Sequence, residues 1–394
     1  MPVILTFVDY YLPGAKAGGA LRSVANLVDR LGNELDFRLI TRDRDEGDDE
    51  PYPSVSAGEW TKRGKAQVLY LPEHQMSLRG LRDVIRKTPH DAIYLNSFFS
   101  PRCTILPLLL RRAKAIAAVP TIVAPRGEFS PGALAIKKPK KLAYIAFARL
   151  AGLYGDVVWQ ASSSHEEKDI RRWWGKTARV MVAPDLPSQP AGGLGSPRPA
   201  KRAGHLRVVF LSRISRKKNL LGALRALADV RGSVEFDIYG PLEDQAYWQE
   251  CERAAKDLPA TVVVRQMGPV AHEKVGRVMS EHDLFFLPTF GENYGHVILE
   301  ALTAGCPVLI SDRTPWRNLE ALGVGWDVPL ELPGRFTQIL EECAAMDADT
   351  HAKLSLRALD YGVQEASGDM ALDANRALFE RVCGCQLGSS ESGK

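Results

Sequence analysis

Short apolar runs alternate with longer stretches of helical periodicity along the whole chain. Residues 3–8, 37–40, 92–95, 121–124 and 157–160 predict strands, and residues 20–31 and 78–86 predict amphipathic helices between them. The scheme repeats further on, with strands expected at 206–211, 234–239, 261–265, 284–287 and 307–311. Strands that alternate with helices predict the α/β class, with doubly wound parallel sheets covered on both faces. The pattern breaks at 184–205, where Pro184, Pro187, Pro190, Pro197 and Pro199 mingle with Gly192, Gly193 and Gly195. Such a run propagates neither helix nor sheet and predicts a linker. The expected organisation is a domain over 1–184, a linker over 185–204, a second domain over 205–367 and a frayed Gly/Ser-rich tail over 387–394. The cleft between two such domains is the default ligand site.

With 394 residues, 45% of them hydrophobic and 25% charged, the chain reads as globular rather than fibrous or disordered. The net charge of +4 divides unevenly. Residues 1–200 carry 29 Lys+Arg against 20 Asp+Glu (+9), and residues 201–394 carry 22 against 27 (−5). A basic half joined to an acidic half suggests two different partners. The longest apolar run stops at Arg111 and Arg112, far short of the roughly 20 residues of a membrane span. The first residues show neither a basic region nor a small-residue cleavage site, so no signal peptide is expected. Cys103, Cys251, Cys306, Cys343, Cys383 and Cys385 are scattered and have no zinc spacing, as in a reduced cytosolic protein.

Four segments carry candidate chemistry. After the strand at 284–287 comes a loop with Gly291 and Gly295, then a helix expected over 296–304 that Gly305 and Pro307 stop. Glycines there let backbone N–H groups approach a ligand, and the helix N-terminus favours an anion. Glu292 and Glu300, eight positions apart, offer acceptors suited to the hydroxyls of a ribose or a sugar. After the strand at 206–211, Arg213, Arg216, Lys217 and Lys218 crowd into six residues before Asn219, which can cap a helix over 220–227. Four cations so close repel one another without an anionic partner, and a diphosphate would supply one. A solvated basic turn would look the same in isolation. Gly14 to Ser23 after the first strand contains Gly18, Gly19 and Arg22, and fits neither the dinucleotide fingerprint nor a P-loop. Asn96-Ser97 and Pro125-Arg126-Gly127-Glu128 leave strand ends in the same domain. Finally Lys137, Lys138, Lys140 and Lys141 precede an apolar helix, a pattern suited to an anionic membrane surface or a pyrophosphate-bearing acceptor as well as to a solvated helix start. No nucleic-acid motif is present.

Together these residues resemble family 4 of the retaining glycosyltransferases, which have the GT-B fold. The likeness covers most of the chain and is strongest over 206–310. Glu292 and Glu300, with Gly295 between them and Ala304-Gly305-Cys306-Pro307-Val308 after them, match the family's E-x7-E motif. Arg213 through Lys218 matches its G-R-x-x-x-x-K-G donor-phosphate motif, with Ser212 and Asn219 where glycine is usual. Gly18-Gly19 matches the glycine loop of the first domain, and Pro125 to Leu134 is similar to a subset that builds bacterial cell-surface polysaccharides. Arg126 stands where many members have His, and Pro184-Asp185 where Asn-Gly is usual.

The resemblance implies two Rossmann-like domains and a C-terminal helix, near 368–386, that returns to the first. It implies a nucleotide-diphosphate sugar as donor, UDP- or GDP-linked, with no cofactor and no metal. Glu300 would bind the ribose. Glu292, Gly291, Asn293, Tyr294 and Gly295 would hold the transferred sugar, with Gly18 and Gly19 close to the donor. Arg213 and Lys218 would stabilise the leaving diphosphate, and Arg126, unable to act as a base, would bind or act electrostatically. Arg22, Asn96, Glu128, Lys137 and Lys138 would meet a glycan or lipid-pyrophosphate-linked acceptor at the cytoplasmic face of the plasma membrane. Two rival readings are a phosphorylase or epimerase on similar domains and a non-catalytic nucleotide-sugar-binding or scaffold protein. Epimerisation needs a base pair and a phosphorylase needs a further phosphate or cofactor site, and neither is visible in the sequence.

Overall fold

A computed structural model describes residues 1–14, 16–135, 137–188 and 199–387. Pro190, Gly192, Gly193, Gly195 and Pro197 of the expected linker, and the tail after Leu387, lie outside the described residues. The chain divides into two units, one holding residues 1–186 and 369–394 and the other 187–368.

The first unit is built on an eight-stranded sheet. Its strands are β1 (Val3–Phe7), β2 (Asp36–Arg42), β3 (Trp60–Arg63), β4 (Ala66–Leu71), β5 (Ala92–Leu95), β6 (Thr121–Val123), β7 (Val157–Ala161) and β8 (Val180–Val182), in the order β3-β4-β2-β1-β5-β6-β7-β8. Central β1 is parallel to both neighbours, with Ile4 opposite Phe37 and Ala92. The sheet is not wholly parallel, as the strand–helix alternation suggests. β3 and β4 form an antiparallel hairpin closed by Gly64-Lys65, in which Gly64 has φ +58°. A two-residue turn needs this left-handed backbone, and Gly adopts it without a steric penalty. The chain order reverses between β1 and β5: β2 and β4 follow β1 on one side, and β5 to β8 fill the other.

The helix Asp369–Cys383 belongs to this unit. Phe379 packs edge-on against Phe37 and Tyr94, with ring centroids 6.0 and 5.6 Å apart, and Arg376 forms a two-pronged ion pair with Glu34. Asp185 and Leu186, which the proline count assigns to the linker, are also bound here. The Asn26 side chain donates to the Leu186 carbonyl at 2.8 Å, and Asn375 donates to that of Pro184 at 2.7 Å. Beneath the loops after β5 and β6 lies an aromatic nest of Phe98, Phe129, Tyr154, Trp159 and Trp174, with Tyr154 stacked on Trp159 at 5.3 Å. Large rings packed in this way fix the two loops from below.

The second unit has a six-stranded sheet, parallel throughout: β9 (His205–Leu211), β10 (Ser233–Tyr239), β11 (Val262–Gly268), β12 (Leu284–Leu287), β13 (Val308–Ser311) and β14 (Gly325–Val328). Their order is β11-β10-β9-β12-β13-β14, so the direction of winding reverses between β9 and β12. β12 and β13 are buried along their whole length, as a parallel sheet covered on both faces requires. All six cysteines are free thiols. Among the described residues no helix is long and apolar enough to cross a membrane.

Candidate functional site

In open parallel sheets, ligands settle outside the carboxyl ends of the strands where the winding direction reverses. In the second unit that point lies after β9 and β12, the two strands followed by the Arg213–Lys218 loop and the Glu292 loop. The two loops are stitched together. The Phe290 N–H and the Thr289 hydroxyl donate to the Lys217 carbonyl at 2.8 and 3.1 Å. Asn219 donates through Nδ2 to the Pro288 carbonyl at 2.8 Å, while its Oδ1 accepts from Gly222 N–H and caps the helix Leu220–Leu227.

Asn219 has φ +58°, which explains why a glycine can serve in its place in the related motif. Asn219→Gly should therefore change stability by less than about 1 kcal/mol, since the cap loses only a few tenths. Asn219→Val, a β-branched residue in left-handed backbone, should cost about 1–3 kcal/mol. Thermal denaturation of the two variants checks the pair.

The loop brings Lys218 Nζ to within 2.5 Å of the Glu292 carboxylate, with both side chains nearly buried. Burial by itself would raise the Glu292 carboxyl, but Lys218 and then Lys217 outweigh it and hold it below the ordinary range. A buried, charged carboxylate therefore stands beside an ammonium at the reversal point. Lys217 adds to the field on that carboxylate, while two other cations also have carboxylate partners. Arg213 pairs with Glu243 at 3.2 Å, and Arg216 turns to Glu250 and Asp244. Part of the crowding read from the sequence is thus offset by the protein's own carboxylates.

Glu300, on the helix His296–Thr303, lies 3.5 Å from Nδ1 of His272. Gly295 has φ +81° at the start of that helix, and a Cβ there would meet Ile298 at 2.8 Å. Gly291 is different, because a Cβ would meet only ordinary contacts at 3.9 Å or more. The Tyr294 carbonyl accepts from Trp316 Nε1 at 2.6 Å, and the Tyr294 ring lies against those of Trp316 and His296. Asn293 lies between Glu292 and Tyr294 in the same loop. The Glu292 N–H donates to the Arg313 carbonyl at 3.0 Å. Arg313, Trp316 and Gly240 belong to this site although no motif marks them. Gly240 cannot carry a side chain, because its Cβ would lie 1.9 Å from the Ser212 carbonyl at the root of the basic loop. The signal available for Arg313 and Trp316 was their position just after the strand at 307–311.

In the first unit, Gly18 has φ +70° and begins the helix Gly19–Leu31, whereas a Cβ on Gly19 would meet nothing. Arg22 is half-buried in that helix's first turn, its N–H donating to the Gly18 carbonyl. Arg126 faces inward. Its guanidinium pairs with Asp185 and donates to Tyr94 Oη at 2.6 Å and to Asn96 Oδ1 at 2.8 Å. Asn96 is 3% exposed, and its other end donates to the Phe7 carbonyl. The Glu128 carboxylate accepts from Ser97 Oγ and from the N–H groups of Phe98 and Phe99, and burial still pushes it above the ordinary range. Arg126, Asn96 and Glu128 thus tie the loops after β5 and β6 to each other.

Lys137, Lys138 and Lys140 are exposed, but Lys141 turns in, donating to the Ala133 carbonyl and lying 5.0 Å over the Phe99 ring. On the helix that they open, Lys138–Leu150, the apolar Phe147 and Leu150 are 53% and 90% exposed. Among the described residues no group of three or more His, Cys, Asp and Glu side chains is placed to hold a metal ion.

Residues 196–329 match the sequence model of the family described as glycosyl transferases group 1. Among solved structures, sucrose-phosphate synthase from Thermosynechococcus elongatus matches with a TM-score of 0.73 at 17% identity, over 98% of this chain and 100% of that one. HepE from Anabaena, in complex with UDP and glucose, matches with a TM-score of 0.67 at 15% identity, over 98% and 100%. WaaG, a glycosyltransferase involved in lipopolysaccharide biosynthesis, matches with a TM-score of 0.65 at 13% identity, over 97% and 100%. No curated protein matches the sequence. The chain has the GT-B fold of glycosyltransferases, and its second unit carries the sequence signature of group 1.

Proposed function

We propose that this protein is a retaining, metal-independent glycosyltransferase that moves a hexose or related sugar from a nucleotide-diphosphate sugar to a glycan or lipid-linked glycan. The observation that carries this reading is the Lys218–Glu292 pair at the reversal point of the second sheet, inside the segment that matches glycosyl transferases group 1. The complex of HepE with UDP and glucose supports a UDP-sugar as donor. In the proposed reaction an acceptor hydroxyl oxygen bonds to the anomeric carbon as the bond from that carbon to the diphosphate oxygen breaks. The leaving nucleoside diphosphate takes the hydroxyl proton on a phosphate oxygen. Lys218 and Arg213 stabilise the negative charge that grows on the diphosphate. Glu292 holds the sugar hydroxyls together with the backbone at Asn293, Tyr294 and Gly295, and Glu300 accepts from the ribose.

The acceptor meets the first unit, and work at the cytoplasmic face of a membrane fits the helix Lys138–Leu150. Its exposed Phe147 and Leu150 give apolar anchorage, and Lys137, Lys138 and Lys140 give attraction to anionic lipid. A role in bacterial surface polysaccharide synthesis accords with that placement and with the WaaG likeness.

Thermal unfolding in the presence of UDP-, GDP- and ADP-sugars tests the donor claim. A ligand at about a hundredfold excess over its Kd should add roughly 2.7 kcal/mol to stability. No shift with any of the three sets would overturn the assignment.

A further inference from the structure

We propose that Cys383 and Cys385 form a reversible dithiol site, which closes to an internal disulfide by exchange with a small disulfide of the glutathione class. It does not rest on the transferase reading. The two residues stand at the end of the helix Asp369–Cys383, separated by Gly384.

The turn holds them together. Gly384 has φ +66°, the left-handed backbone that ends many helices and that glycine adopts without a steric penalty. The N–H groups of Gly384 and Cys385 both donate to the Glu380 carbonyl, at 2.8 and 3.3 Å, and the Leu387 N–H donates to the Glu380 carboxylate at 2.8 Å. The chain thus folds back over the last helical turn, with both thiols against one apolar cluster that includes Phe37, Phe379 and Leu387. The two thiols are hydrogen-bonded to each other.

Access separates this pair from the other thiols. Cys103, Cys251, Cys306 and Cys343 are buried, whereas Cys383 and Cys385 are half-buried. A Cβ on Gly384 would meet nothing within 4 Å, so the outer side of the turn is open to a reagent. The two sulfurs also differ from each other. Burial, then Cys385 and Asp91, push the Cys383 thiol up to about 11, so it keeps its proton at neutral pH. Cys385 is therefore the sulfur that attacks first.

In the first step the Cys385 thiolate bonds to one sulfur of glutathione disulfide as the S–S bond there breaks. One glutathione leaves as a thiolate and takes up a proton. Cys383 then gives its proton to solvent, its sulfur bonds to that of Cys385, and the second glutathione is expelled. Two protein thiols are oxidised to one disulfide, and one glutathione disulfide is reduced to two thiols. The closed loop spans three residues, so the bridge adds little stability through chain entropy. Its chemical use is reversible exchange.

Incubation of the full chain with glutathione disulfide tests the site, read by intact mass and by peptide mapping without reduction. The unaltered protein should lose two hydrogens, with the bridge mapped to residues 383 and 385, and dithiothreitol should restore both thiols. Closure should be faster at pH 9 than at pH 7, because the second attack needs the Cys383 thiolate. Cys383→Ser should stop at a glutathione adduct on Cys385. Cys385→Ser should form no bridge and react at least tenfold more slowly. Both variants exchange a half-buried thiol for a hydroxyl and should unfold close to the temperature of the unaltered protein, whose own mass change is read without them. The proposal is overturned if the pair stays reduced, if it ends as two separate glutathione adducts, or if the adduct forms first on Cys383.

Discussion

Glu292→Gln should lower the rate of sugar transfer by about 10²–10³ while the protein stays folded. The substitution keeps the size of the side chain and its contact with Lys218, but removes the charge that Lys218 and Lys217 hold in place against burial. If the carboxylate binds sugar hydroxyls and faces developing positive charge at the anomeric carbon, its charge matters more in the transition state than in the ground state. The loss should therefore fall on kcat more than on donor affinity. Lys218→Met should produce a loss of similar size through the other half of the pair, because the leaving diphosphate loses a cation. Steady-state kinetics with the donor identified by thermal shift would check both. Near-normal turnover in Glu292→Gln would contradict the assigned role.

The second large effect concerns stability. Arg126 and Asp185 form an ion pair whose side chains are 9% and 3% exposed. Removing one partner takes from the other its opposite charge in a buried setting, which costs about 3–5 kcal/mol. Arg126→Met and Asp185→Leu should each lose stability on that scale in urea denaturation. The double variant should lose less than their sum, because the two charges leave together, although Tyr94 Oη and Asn96 Oδ1 lose the donor that Arg126 supplied. Additive losses would show that the two residues act separately. The same pair explains two departures from the glycosyltransferase pattern at once. An arginine where His is usual and an aspartate where Asn-Gly is usual are charge partners, so neither is understood without the other.

Much of the architecture could be read in the chain because buried parallel strands are continuous apolar runs. Residues 92–95 and 284–287 are strands to the residue, and Asn219 caps the helix Leu220–Leu227 as expected. Four strands fall outside that expectation: Ala66–Leu71 carries the same apolar signal, whereas Val180–Val182 and the two that follow are short or polar. Trp60–Arg63 is polar and half exposed, and Gly325–Val328 is short and begins with glycine. For the candidate site, the Glu292 loop and the basic loop could be found because glycine and charge stand out in a sequence. The Lys218–Glu292 pair, with Arg213 beside Glu243 and Arg216 beside Glu250, could not, since it depends on which carboxylate the fold brings near. In the first unit Asn96, Arg126 and Glu128 stand out because they are polar and follow strands, while their hydrogen bonds to the loops after β5 and β6 depend on the fold.

The β3–β4 hairpin also bears on how the molecule behaves in a crowded cell. A sheet whose outermost strand is long, flat and apolar offers a row of open backbone groups to any extended chain. Here that outermost strand has four residues, runs against its neighbour, and carries Lys62 and Arg63, with Lys65 in the turn. A second chain adding to it would find little backbone to pair with and a cluster of positive charge to displace. This edge is thus a poor template for a second chain, and Lys62→Val together with Arg63→Val should raise aggregation measured by light scattering.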